Sequence, residues 1–123
     1  MTRLKPPDVK ALIMAHIAAE LGEPAVSSRP DDGTTRFVRV IATGGAGRTD
    51  RIMQHVQLTI DCYAESVGRA YQLAADVDSL MHDLPSSVVP VVGVQSNTPA
   101  ENPDPDTGSA RYTTTYQLKC LVR

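Results

Sequence analysis

Two stretches of this sequence alternate apolar and polar residues over long spans, and a chain that does so twice is committed to a sheet with one buried and one polar face. In the first, Ile52, Val56, Leu58, Ile60 and Cys62 alternate with Met53, His55, Gln57, Thr59, Asp61 and Tyr63, with a break at Gln54. In the second, Tyr112, Thr114, Tyr116, Leu118, Cys120 and Val122 share one side, and Arg111, Thr113, Thr115, Gln117 and Lys119 share the other. A shift of one residue would invert either strand, so the alternation states which face each side chain takes.

Elsewhere the period is helical. Pro6 and Pro7 precede a segment in which Val9, Leu12, Ile13, Ile17 and Leu21 recur at three- and four-residue spacing, with Gly22 as a left-handed stop. His16 lies on that stripe and reads as a satisfied core or boundary residue. From Ser66 to Leu84, Ala70, Leu73, Ala74, Val77, Leu80, Met81 and Leu84 form a second stripe, which Pro85 ends. Shorter strands are expected at Val26–Ser28, Arg36–Thr43 and Val88–Val94, the last interrupted by Pro90 and Gly93 as an edge or bulged strand would be. A meander is the simplest order. The expected architecture is α+β: an antiparallel sheet of about five strands with both helices on one face, in a single domain spanning residues 1–123.

Two connections stand out. Gly44, Gly45 and Gly47 precede the first long strand, but no lysine follows them as in a phosphate-binding loop, so they read as a hairpin loop whose tip presents Arg48, Asp50 and Arg51. The stretch "QSNTPAENPDPDTGSA" before the last strand is too polar to pack and too long for a hairpin turn, and is expected to be mobile. Its Asp104 and Asp106 resemble the start of a calcium loop, but Gly108 and Thr115 stand where further oxygen ligands would be needed.

Composition narrows function by exclusion. The 123 residues are 41% hydrophobic, enough for one modest core, and the formal charge of -2 comes without a basic run to grip phosphates. With one Phe and no Trp, the polar sheet face has no stacking platform for bases. Cys62 and Cys120 fall in the apolar register and read as reduced core residues, while His16, His55 and His82 form no metal-binding spacing. No apolar run approaches membrane-spanning length and Met1–Pro7 is not organised as a signal peptide, so a soluble, cytosolic protein is expected. No nucleophile motif, paired carboxylates or cofactor fingerprint is present, so neither enzyme activity nor a cofactor or metal is expected.

The order of elements, the "TGG…R…D" loop, the strand ending "IDCYAES", the "A..LA..V..L" helix and the closing "RYTTTYQLKCLVR" resemble the tail terminator proteins of long-tailed actinobacterial phages across nearly the whole chain. The resemblance implies a non-enzymatic virion protein that assembles as a ring, commonly a hexamer. Such a ring caps the tube built by the major tail tube protein, stops its growth and presents a surface to head-to-tail connector proteins, with DNA passing through its lumen. By the same resemblance, Gly44, Gly45, Arg48, Asp50 and Arg51 and, in the second loop, Asp104, Asp106 and Arg111 are the candidate interface residues. A related connector or head-completion subunit could share these patterns, and a small ligand-binding or enzymatic α+β domain is the alternative from another class.

Overall fold

A computed structural model describes residues 3–49, 51–86 and 90–122. Helix α1, Val9–Leu21, is capped by the Asp8 carboxylate, which accepts from the Ala11 N–H, and ends at Gly22 with φ of 68°. Strand β1, Ala25–Val26, leads through a turn to β2, Phe37–Thr49, and β3, Met53–Ala64. Helix α2, Val67–His82, starts at the Ser66 hydroxyl, which accepts from Arg69 N–H, and runs into a 3-10 turn at Leu84–Ser86. Strands β4, Val91–Ser96, β5, Ala100–Glu101, and β6, Ala110–Leu121, complete the chain.

The strands form one sheet in the order β1-β2-β3-β6-β4, with β5 pairing β6 beyond the end of β4. There are six strands where five were expected, and the order is not a simple meander. β1 runs parallel to β2, and the last strand inserts between β3 and β4. The α+β class holds.

Both long strands keep the register read from their alternation, except that Ile52, assigned to the apolar side, falls before β3 and is 52% exposed. Leu58, Ile60 and Cys62 of β3 pair with Tyr116, Thr114 and Tyr112 of β6, and Val38 and Val40 of β2 pair with Cys62 and Ile60, placing these positions on one face. Both helices cover that face: Val9, Ile13 and Ile17 of α1 and Leu73, Ala74, Val77 and Met81 of α2 join its residues in one buried cluster. Burial of this kind is the main favourable term in folding. Cys62 and Cys120 are free thiols within it. Leu12, assigned to the α1 stripe from its spacing, is instead 39% exposed, because three inward positions suffice for a helix that meets the sheet only near its edge. His16 is half-buried, and its Nε2 is shielded from solvent without a hydrogen-bond partner among the described residues, so it is not the satisfied residue its position suggested.

The glycine-rich segment is not a loop. β2 continues through it to Thr49, pairing Gly44 with Gln57 and Gly47 with His55 across two register shifts, and the connection shrinks to residues 50–52. Gly45, with φ of 116°, lies so close to β3 that a Cβ would come within 2.7 Å of the His55 carbonyl oxygen, so only glycine fits.

Candidate interface surfaces

The face away from the helices carries Arg39, Thr43, His55, Gln57, Thr59, Asp61, Tyr63, Arg111, Thr113, Thr115, Gln117 and Lys119, as their register requires. It divides into two halves. Near the start of β2, Phe37 and Tyr63 stack with ring centroids 4.4 Å apart, and the guanidinium groups of Arg29, Arg39 and Arg111 lie 4.9, 5.9 and 5.7 Å from the Tyr63 ring centroid. Two carboxylates balance them. Asp61, 3% exposed, accepts from Arg39 Nη2 at 2.6 Å and from Thr113 Oγ1 at 2.7 Å. Asp104 accepts from the Asp106 N–H at 2.9 Å, from Tyr63 Oη at 3.1 Å and from Arg29 Nη2 at 3.2 Å.

Asp104 therefore pins the long polar connection to the sheet. The expectation that this stretch is too polar to pack is corrected: Asp104 is buried, β5 adds a short ladder to β6, and Arg111 Nε donates to the Asn102 carbonyl at 2.8 Å. It packs through satisfied polar groups instead of apolar area, which a hydrophobicity pattern does not register. The Asp106 N–H bond, followed by the Arg29 and Tyr63 bonds and the nearby Arg111 charge, lowers the Asp104 carboxyl to about 2 despite opposing desolvation. One signal in the sequence points to this cluster: Tyr63, a large ring in the polar phase of its strand, in phase with Asp61.

The other half of the face is open. Thr43, Gln57 and Thr59 join through hydroxyl and amide contacts, with Gln57 Nε2 donating to Thr43 Oγ1 at 3.1 Å, and Thr115 and Gln117 continue the uncharged polar surface across β6. Farther along stands the β2–β3 hairpin. Arg48 Nη2 donates to the carbonyls of Leu4 at 3.0 Å and Arg51 at 2.6 Å, holding the segment before α1 against the hairpin end.

The candidate residues from the sequence thus separate into two groups. Gly44, Gly45, Arg48 and Arg51 lie at or toward the hairpin end, with Gly44 and Gly45 inside a strand and not at a loop tip. Asp50 lies outside the described residues. Asp104 and Arg111 belong to the buried cluster at the opposite end, and Asp106 is exposed beside it. Ten residue steps along β3 separate Met53, at the hairpin, from Tyr63, about 33 Å of extended chain.

A further feature lay outside the sequence reading. On the flank of α2, a cleft of about 490 Å³ opens between Tyr71, Ala75, Asp78 and His82 on the helix and Asn97 and Pro99 after β4. His82 Nε2 lies 2.9 Å from Ser96 Oγ and 3.7 Å from Asp78 Oδ1. Ser, His and Asp in contact suggest a catalytic triad, but the geometry differs. In a triad the acid holds one ring nitrogen so that the other can take the serine proton; here the same nitrogen faces both groups, and Asp78 Oδ1 already accepts from the buried Tyr116 hydroxyl at 2.8 Å. The arrangement ties the end of α2 to β4.

Among the described residues no group of three or more His, Cys, Asp or Glu is placed to hold a metal ion, and no helix is long and apolar enough to cross a membrane. In comparisons with known proteins, no family model and no curated sequence matches this chain.

Proposed function

We propose that this chain is a structural subunit of a phage tail, a terminator that forms a ring, hexameric by resemblance, to end tube growth and offer a joining surface to the head connector. The observation that carries this reading is the placement of two chemically different surfaces at opposite ends of one long sheet. The hairpin end presents Arg48 and Arg51, and the other end presents the connection pinned by Asp104. A ring subunit meets its neighbours through non-identical patches on opposed flanks, which form a ring instead of a filament when the rotation closes, and a terminator also offers different surfaces to tube and connector. The open half of the sheet face, mostly hydroxyls and amides at Thr43, Gln57, Thr59, Thr115 and Gln117 with exposed Lys119 toward one end, is too sparsely cationic to grip a phosphate backbone, which suits a lumen or a subunit contact.

The test is a phage lacking this protein, with lysates viewed by electron microscopy. A terminator leaves tubes of uncontrolled length, and the protein supplied in trans restores them. Tubes of normal length in its absence would remove the terminator role, and normal tails beside unattached heads would assign it to the connector instead.

A further inference from the structure

The cleft on the flank of α2 has the shape and charge of a site for a basic extended segment. Tyr71, Ala75, Asp78 and His82 recur at helical spacing along one side of α2, so the small Ala75 makes a depression between two rings with the carboxylate beside it. Tyr71 is 51% exposed, and its ring is braced edge-on by Tyr112 at 5.4 Å, a preset aromatic wall. Asp78 is held in place through Oδ1 by Tyr116, with His82 Nε2 3.7 Å away, while Oδ2 has no bond to any described residue. A carboxylate beside an exposed aromatic face is a setting for a guanidinium or ammonium group, which gains from both.

The chain itself carries a segment of matching character. Residues 3–7, Arg-Leu-Lys-Pro-Pro, are neither helix nor strand; the two prolines keep the backbone extended, and Arg3 and Lys5 are exposed. Arg48 anchors this segment by the Leu4 carbonyl at the hairpin end of the sheet, and that bond leaves the Arg3 and Lys5 side chains unused. Asp78 is anchored to Tyr116, midway along β6, and the cleft beside it opens toward Ser96 and Asn97 at the β4 edge of the sheet, whereas Arg48 stands on β2. Arm and cleft thus lie on different sides of the subunit.

We infer that the arm at residues 3–7 of one copy seats in the α2 cleft of the next, with Arg3 or Lys5 against Asp78 and Tyr71. Such a contact is heterologous, each subunit giving an arm on one side and receiving one on the other, as a closed ring requires. This inference rests on the ring reading and names the contact that closes it.

The experiment measures self-association of the purified protein by light scattering and native mass, and binding of a labelled Arg-Leu-Lys-Pro-Pro-Asp peptide by fluorescence anisotropy. The peptide should bind the wild-type protein and compete with assembly. Asp78→Asn keeps an acceptor for Tyr116 and should weaken both by about tenfold. Ala75→Lys, which places an ammonium in the cleft without touching the core, should abolish peptide binding with an unchanged thermal melt. Arg3→Glu with Lys5→Glu should dissociate the ring, and adding Ala75→Lys and Asp78→Asn to that arm should restore it. A ring of unaltered mass in all these variants would overturn the arm-and-cleft contact while leaving the ring reading intact. A monomeric wild type that still binds the peptide in an Asp78-dependent way would support the cleft and count against the ring, and no peptide binding at millimolar concentration would overturn the cleft assignment.

Discussion

Asp104 shows how much can rest on one side chain. Its carboxylate receives three hydrogen bonds and joins two connections to the sheet. Its folded value, about 2, lies below its ordinary 3.8, so the stabilisation is present above about pH 4 and is lost as pH falls through 2. Urea unfolding should show the wild type losing stability across that window, and Asp104→Asn should start less stable at neutral pH and change less on acidification. Equal pH profiles would show that Asp104 does not hold the connection. Gly45 is the backbone counterpart. With φ of 116° and β3 within contact of any Cβ, Gly45→Ala should cost about 1–3 kcal/mol in denaturant unfolding. Burial pushes the Cys62 thiol up to about 12 and the Cys120 thiol to about 11, so thiolate is scarce at neutral pH. Neither should react with a thiol reagent until the protein unfolds, and rapid native labelling would mean that the strand faces are inverted.

At the scale of elements, helix α1 separates what periodicity can tell from what it cannot. Leu12 and Ile13 both fit a helical stripe, yet Ile13 is fully buried and Leu12 is 39% exposed. Ile13→Ala should cost about 2–5 kcal/mol, and Leu12→Ala about 1 kcal/mol or less, by chemical denaturation. Equal losses would mean that α1 sits rotated on the sheet. The long strands were legible for the opposite reason: strict alternation admits one register, and the pairing of β3 with β6 keeps every expected face. Propensity ends β2 near Thr43, since glycine at Gly44, Gly45 and Gly47 signals a turn, whereas here it permits bulges within a strand that runs to Thr49.

Across the whole molecule, the hairpin end is the surface most exposed to a charge test. Arg48 and Arg51 replaced together by Glu turn that end from cationic to anionic, and the loss of the Arg48 bonds to the Leu4 and Arg51 carbonyls adds a fold cost of about 1 kcal/mol. Disrupted interface charges cost about 2–5 kcal/mol of association, so a folded variant with poor ring formation and misjoined tails is expected. A thermal melt and electron microscopy of complemented lysates check it, and normal virions from the double variant would take both arginines out of the interface.

Local chemistry determined much of this protein in advance: helix ends at Asp8, Gly22 and Ser66, the faces of β3 and β6, the buried thiols and the α+β class all follow from periods and caps that act within a few residues. Tertiary structure alone decided the rest. Arg29, Arg39, Tyr63, Asp104 and Arg111 are spread over most of the chain, and only the pairing of β2, β3 and β6 brings them around one ring. The insertion of β6 beside β4 likewise brings Ser96 within reach of His82 and opens the cleft along α2. Contacts between distant residues depend on strand order, and strand order is set by the packing of the whole sheet against its helices, which no local period encodes.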